Sequence, residues 1–377
     1  TGDTSSTSYG LGFWWEHPPT LIEYSSVNHH SPDDNIKVQS FKAGVIANEQ
    51  FFIGNVKQDG IIHGDKILVS PPSQFDKFPE GNDIPVVVND GDEIIHMEEY
   101  SDRLLVFKKS RLFIINVSSY AAAIIESDHM HKGLSNPGAA CKTDNGIAWI
   151  NSFGCYFYNG ESVTSLLESG NRLRINESTW SSFIGSNGRE RIGYNPTRKE
   201  LIVIGDSTNI YSFNTISGGW SYSAAVLSNN GDHTNSRMLN DPDHGILIWA
   251  DDSADRVKQW SDTATAQAIS ILTKDIDFGE PGLKKSVYSV KISYQGDGST
   301  LTVLWGKNGT TPARQFNSDN TPLTSSGTGD WAHVELKPTT AADSKNIYSF
   351  QIKISGTPGA DFKINDISIV YRLIGVR

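Results

Sequence analysis

RLLVFKKSRLFIINV, from Arg103 to Val117, reads as two short apolar strands joined by a tight polar turn. Three further stretches repeat the pattern: GIAWINSFGCYFYNG (Gly146–Gly160), ELIVIGDSTNIYSFNTISGGW (Glu200–Trp220) and GILIWADDSADRVKQW (Gly245–Trp260). Aligned on Leu105, Ile147, Ile202 and Leu247, they are spaced by 42, 55 and 45 residues. A hairpin recurring every 40–50 residues is the sequence signature of a β-propeller, with one sheet per repeat. GVIANEQFFIGNV and DKILVS in residues 44–70, and PVVVNDGDEIIHMEEY (Pro85–Tyr100) around an Asn-Asp-Gly-Asp turn, add strands, so a propeller of five or six blades is expected in residues 1–270.

From residue 271 the pattern changes to longer strands: KKSVYSVKISYQGDGST, LTVLWGKNG, WAHVELKP, NIYSFQIKISGTPGAD and FKINDISIVYRLIG. Tyr288, Val290, Ile292 and Tyr294 alternate with Val287, Ser289, Lys291 and Ser293, the period of a half-buried strand. An antiparallel β-sandwich is expected over 271–377, with the joint between Trp260 and Thr273. Helix is scarce. AQAISILTK from Ala266 is the best candidate and reads equally well as strand.

A chain of 377 residues can bury roughly three quarters of its unfolded surface, enough for two cores. Apolar residues are 37% and charged residues 20%, a globular composition. No apolar run reaches the ~20 residues of a membrane span. Thr1 to Tyr9 show no basic segment followed by an apolar one, so no leader is expected in them, and with no initiating Met, residues before Thr1 are allowed for. FWWEHPPTL (Phe13–Leu21) reads as an extended segment.

The net charge of −11 is uneven: residues 271–377 hold 12 Lys and Arg against 10 Asp and Glu, leaving 20 against 33 in residues 1–270. An acidic first region argues against tight nucleic-acid binding, which needs clustered cations.

Candidate chemistry is thin. There is no G-x-S-x-G, no P-loop and no H-E-x-x-H. Cys141 and Cys155 fall on the first and third strands of an expected three-strand meander, ~9–10 Å apart, so they read as two buried free thiols. His29-His30 would point to opposite faces of a strand. His129 and His131, beside Asp128, have metal-like spacing but lack a second ligand cluster and read as an exposed loop. Asp90, Asp92 and Glu93 lack the rest of a calcium loop and read as solvated carboxylates of a hairpin turn. Trp14, Trp15, Trp180, Trp220 and Trp260 are candidates for stacking sugars, with Trp220 and Trp260 read as core. The sequons at Asn116, Asn176 and Asn308 read as chance matches. No catalytic, metal or cofactor residues are assigned.

The stretches FFIGNVKQDG…GDKILVSPPSQFDKFP (51–79), NDGDEIIHMEEYSDRLLVFKKSRLFIINVS (89–118) and GLSNPGAACKTDNGIAWINSFGCYFYNG (133–160), in this order, resemble the tail hub or nozzle proteins of short-tailed phages, also called packaged-DNA stabilisation or tail tubular proteins. The ending KDIDFGEPGLKKSVYSVKISY…FKINDISIVYRL is similar to the C-terminal sandwich of related marine-phage tail proteins. The resemblance covers about residues 45–377, and more loosely Phe13 to His30. It implies a non-enzymatic virion protein with no cofactor. It also implies a homo-oligomeric, six-fold ring beneath the portal and adaptor, through which double-stranded DNA is retained and then ejected. An acidic wall fits such a channel, because it keeps phosphates from sticking. The alternatives are a glycan-binding propeller lectin or adhesin and, behind it, a propeller glycosidase using paired carboxylates. A lectin should repeat a polar pocket in each blade, yet the turns here differ: KKSR, NSF, GDSTN and ADDSAD.

Overall fold

A computed structural model describes residues 38–58, 60–79, 81–87, 90–119, 123–169, 172–173, 175–206, 209–223, 238–241, 244–251, 256–260, 268–326 and 329–375. Phe13–Leu21, Trp14, Trp15 and His29-His30 lie outside them. The fold is all-β and the chain divides into two compact units, Thr1–Trp260 and Ser261–Arg377.

In the first unit each repeat becomes one antiparallel meander. The first sheet holds β1 (Val38–Ala47), β2 (Gln50–Gln58), β3 (Ile61–Val69) and β4 (Asp83–Pro85). The second holds β5 (Ile94–Tyr100), β6 (Arg103–Lys108), β7 (Arg111–Asn116) and β8 (Ile124–Met130). The third holds β9 (Ala140–Thr143), β10 (Gly146–Asn151), β11 (Gly154–Tyr158) and β12 (Val163–Ser165). A short ribbon follows, β13 (Glu168–Ser169) and β14 (Arg172–Leu173), and then the helix α1 (Glu177–Ile184). The fourth sheet holds β15 (Arg191–Asn195), β16 (Glu200–Ile204), β17 (Ile210–Asn214) and β18 (Trp220–Ser223); a further sheet holds β19 (Met238–Asp241), β20 (Ile246–Asp251) and β21 (Arg256–Gln259). Leu105, Ile147, Ile202 and Leu247 all fall on the second strand of their sheets, β6, β10, β16 and β20. Consecutive sheets pack through their leading strands: β1 against β5, β9 against β15, and β15 against β19.

The packing explains the apolar runs. Along β6, Leu104 and Val106 join the core shared with the first sheet, while Leu105 and Phe107 join the core shared with the third and fourth sheets. In β7, Phe113 and Ile115 face the first of these cores, Leu112 and Ile114 the second. On β16, Leu201 and Val203 face one way, Ile202 and Ile204 the other. A sheet buried on both faces needs apolar residues at every position, so these strands lose the alternation of a half-exposed strand.

The described part of the Asn-Asp-Gly-Asp segment, Asp90 to Asp92, does not close a hairpin: β4 and β5 on either side belong to different sheets, and its carboxylates are not solvated loose ends. Asp90 takes two 2.9 Å bonds from the fully buried Lys108 ammonium, which also bonds Val87 O. Asp92 accepts the backbone N–H groups of Lys109 and Ser110 in the β6–β7 turn, each at 2.9 Å. The segment clasps the next hairpin because Lys108 cannot stay charged in the core without a partner. Burial pushes the Asp90 carboxyl up, but the Lys108 bonds and charge and the Asp92 N–H outweigh it, and the net shift is downward.

The second unit has two sheets. One runs β22 (Ile269–Leu272), β27 (Phe350–Gly356), β24 (Thr302–Lys307), β25 (Arg314–Gln315); the other runs β26 (Trp331–Leu336), β23 (Lys284–Gln295), β28 (Lys363–Ile374). Val290, Ile292 and Tyr294 of β23, Val303 and Trp305 of β24, and Ile352 and Ile354 of β27 share one core. The expected alternation holds from Val290 to Tyr294 and breaks before it. A bulge between Val287 and Ser289 puts Val287 in the core and leaves Tyr288 48% exposed, since one extra residue inverts the facing of everything beyond it. The ambiguous AQAISILTK segment contributes strand β22. The helix is instead α1, capped by the Asn176 side chain accepting from Ser178 N and closed by Gly185 at φ 74°.

Gly133 follows β8 where the chain crosses the β6–β7 hairpin, with Leu134 N donating to Lys108 O at 2.9 Å. A Cβ there would lie 2.3 Å from Lys108 O and 2.5 Å from Lys109 O. Gly133→Ala is expected to destabilise the first unit by about 1–3 kcal/mol, the usual scale of overpacking. Urea denaturation followed by tryptophan fluorescence measures it, and an unchanged midpoint contradicts this packing.

Candidate functional site

Most polar residues of the repeated strands support the fold. Asn151 closes β10. Its Nδ2 donates to His131 O (3.0 Å) and Gly133 O (2.9 Å), and its Oδ1 accepts from Phe153 N (2.9 Å) and Gly154 N (3.1 Å). Its carbonyl takes the Trp180 indole N–H at 2.9 Å, and Trp149 Nε1 donates to Lys132 O at 3.0 Å. GIAWIN therefore ends in a clamp that ties the end of the second sheet and α1 to the third sheet.

Asn136 shapes the neighbouring turn. Its Oδ1 accepts from Gly138 N and from the Arg191 guanidinium, both at 2.8 Å, and Pro137–Ala139 form one 3-10 turn. Glu190, 3% exposed, accepts the Ser135 hydroxyl. Burial pushes the Glu190 carboxyl up, with a smaller push from Asp206 and opposition from its backbone bond and Arg191.

These supports leave two cavities that meet at the β10–β11 turn, Ser152-Phe153. One, about 400 Å³, is lined by Lys109, His131, Ser135, Phe153, Gly185 and Glu190 among others. The other, about 790 Å³, is lined by Lys132, Phe153, Tyr156, Ser165, Glu168 and Glu177, with Ser152, Ser178 and Ser181. Phe153 stands 61% exposed between them, its ring 5.1 Å from that of His131. The Lys132 ammonium lies 5.4 Å above the Tyr156 ring. Burial pulls Lys132 down from the ordinary lysine value, against the charge of Glu168. Tyr156 is pushed up to about 12 by burial, with Cys155, Glu168 and Glu177 adding to it.

The residues singled out from sequence do not gather here. His129 lies within β8, opposite Leu112, and not in a loop; burial and Lys132 pull its pKa down against Asp128. His131 follows the strand at φ 61° and turns to Phe153, so the two imidazoles do not form a pair. Among the described residues no group of three or more His, Cys, Asp and Glu is arranged so that it could hold a metal ion. Trp180 is fully buried and offers no face to a sugar, and the partly buried Trp220 packs on it and donates its indole N–H to Leu166 O. Trp260 packs on the Ile202–Leu247 cluster. Cys141 and Cys155 are buried free thiols, and burial pushes Cys155 well up. The sequon residues Asn116 and Asn176 accept from the N–H and hydroxyl of Ser118 and Ser178, and Asn308 accepts from Tyr348 N, so each has a structural use. Nothing in the sequence marks Phe153, Lys132, Glu168 and Glu177 as members of one site: they are single residues on separate elements, with no spacing to join them.

No protein-family model matches the chain, and no curated protein matches its sequence. Among solved structures, one similar chain is a protein from Lactobacillus plantarum, at 12% identity, covering 84% of this chain and 89% of that one with a TM-score of 0.39. Another is the extracellular domain of a protein described as a one component system from B. thetaiotaomicron, at 13% identity, covering 60% and 28%, TM-score 0.35. A third, from Desulfotomaculum acetoxidans and described as functionally unknown, has 13% identity and covers 58% and 71%, TM-score 0.35. Superpositions this loose settle neither topology nor function.

Two outcomes follow from these side chains. Asn151→Ala orphans two carbonyls and two N–H groups in or beside the core, and is expected to destabilise the first unit by about 2–4 kcal/mol. Asn151→Asp keeps the acceptor but sets a carboxylate oxygen against the His131 and Gly133 carbonyls, so at pH 7 it should cost no less than Asn151→Ala; a native urea midpoint in either variant would contradict the clamp. For Glu190 the folded state holds its proton to higher pH than the unfolded chain. Its contribution to stability is therefore greatest below the ordinary glutamate value of about 4.3 and falls as pH rises through the folded value. Glu190→Gln should gain on the native chain between pH 4 and pH 7 in paired urea midpoints; a difference independent of pH refutes the assignment.

Proposed function

We propose that this chain is a structural protein of a virus particle: the tail hub or nozzle of a short-tailed phage, forming a ring of identical subunits around the path of the genome. In this reading the successive sheets of the first unit are blades of a β-propeller, and the second unit is a β-sandwich. The observation that carries it is the use made of the motif residues. Of the landmarks of the resemblance to tail proteins, Lys108 holds the connection that arrives from the first sheet, Trp149 and Asn151 hold the segment that leaves the second sheet, and Gly133 and Pro137 shape that segment. A motif made of joints rather than reacting groups suits a scaffold.

Charge supports the same reading. The first 270 residues carry 33 acidic against 20 basic residues, a surface from which phosphates slide away. Side-by-side contacts between identical subunits either close into rings or grow without limit, and a particle component must close. The portal, the adaptor and other tail proteins are the partners this places beside it. Among the described residues no helix is long and apolar enough to cross a membrane.

Electron-microscopic reconstruction of the particle, or of the purified protein assembled on its partners, tests the proposal. The expected result is a six-fold ring of this chain around an axial channel with duplex DNA passing through it. Single copies on the outer surface, away from the DNA, would overturn it and favour the glycan-binding alternative.

A further inference from the structure

The larger of the two cavities, beside Phe153, has properties that the ring reading does not require. Its volume of about 790 Å³ is in the range of small-molecule sites. Lys132, Glu168 and Glu177 line it together, yet no hydrogen bond or ion pair within 4 Å joins them among the described residues, whereas Lys42, Arg103, Lys108, Arg111, Lys142 and Lys199 of the same unit each hold a carboxylate. The Lys132 ammonium is half-buried, held over a ring, and keeps hydrogens free to donate. Glu168 and Glu177 are exposed acceptors. Ser152, Ser165 and Ser181 can do either, and Ser178, whose hydroxyl hydrogen goes to Asn176, can accept. Phe153 supplies an exposed ring face at the rim.

The lining selects among ligand classes. Lys, Glu and Ser are the residues depleted from protein–protein interfaces, so a docked protein is disfavoured. Two carboxylates beside one ammonium repel a phosphate or other anion. An apolar ligand would leave three charges desolvated. A neutral ligand bearing many hydroxyls and one flat apolar face satisfies all the groups at once: hydroxyls donate to Glu168 and Glu177, accept from Lys132, and the apolar face lies on Phe153. We infer that this cavity is a binding site for neutral saccharides, a second activity independent of whether the chain forms a ring.

The test uses the full chain and four neutral probes, maltohexaose, cellohexaose, mannohexaose and N-acetylchitohexaose, followed by saturation-transfer NMR and calorimetric titration. At least one is expected to bind. Phe153→Ala and Lys132→Met are each expected to weaken it about tenfold, the scale of one stacked ring or one hydrogen-bonded charge. Glu168→Gln with Glu177→Gln should weaken it as well, while Tyr222→Ala, a change on the exposed β18, should leave it unaltered. Phe153 is exposed, so its variant keeps the native urea midpoint and loss of binding cannot be ascribed to unfolding. Failure of all four probes, or binding indifferent to Phe153→Ala, overturns the inference. Binding of inorganic phosphate by the native chain that Lys132→Met abolishes, with no saccharide bound, also overturns it.

Discussion

The side chain of Asn151 makes four hydrogen bonds where β10 ends, and much of the first unit is arranged around them. Two reach back to the segment that leaves the second sheet, and two fix the Ser152-Phe153 turn. Its carbonyl then holds the indole of Trp180 on α1. One residue thus meets three elements: the segment 18 to 20 residues before it, the turn that follows it, and α1, 29 residues after it. A buried amide must have all its bonds satisfied, so none of the three can move independently. Trp149, two residues earlier, repeats the device through Lys132 O.

The same joint positions the cavities. Phe153 projects because Asn151 accepts its N–H and holds a tight turn; Lys132 lies over Tyr156 because its own carbonyl is held by Trp149. Support and candidate site are therefore one structure, with the rigid part made of hydrogen bonds to backbone and the open part made of charges that do not reach each other. Preorganisation of this kind lowers the entropy lost on binding.

Burial on both sides governs the rest. A sheet between two neighbours sends alternate residues into different cores, which is why Leu104 and Leu105, adjacent in sequence, belong to separate clusters. Lys108 is the exception in that strand: a fully buried ammonium held by Asp90 from the incoming connection. Carboxylates that look like solvent-exposed turn residues are bound in this way because the chain passes from one sheet to the next over the hairpin it has yet to form. The second unit follows a simpler rule, with one shared core between two sheets, and β28, bonded to β23 alone, carries exposed Val370, Tyr371 and Leu373.

The paired inner strands of each repeat and the spacing of the hairpins were legible in the sequence, because a strand covered on both faces must be apolar throughout and a two-residue turn such as Lys109-Ser110 is a local event; the outer strands of the sheets, such as β8, β12 and β18, were not. The change of character after Trp260 was legible for the same reason, since strands exposed on one face alternate. Helix α1 carries local signals of its own, Asn176 and Glu177 at its start and Gly185 at its end. What only the tertiary structure decided is convergence. The bulge beside Tyr288 inverts the facing of a strand without any mark in composition, and Lys132, Phe153, Glu168 and Glu177 share a cavity although they come from the exit of β8, a turn, the ribbon and the helix. Local physics determines what each segment becomes; which polar groups face each other depends on how consecutive sheets pack, and no periodicity of the chain records that.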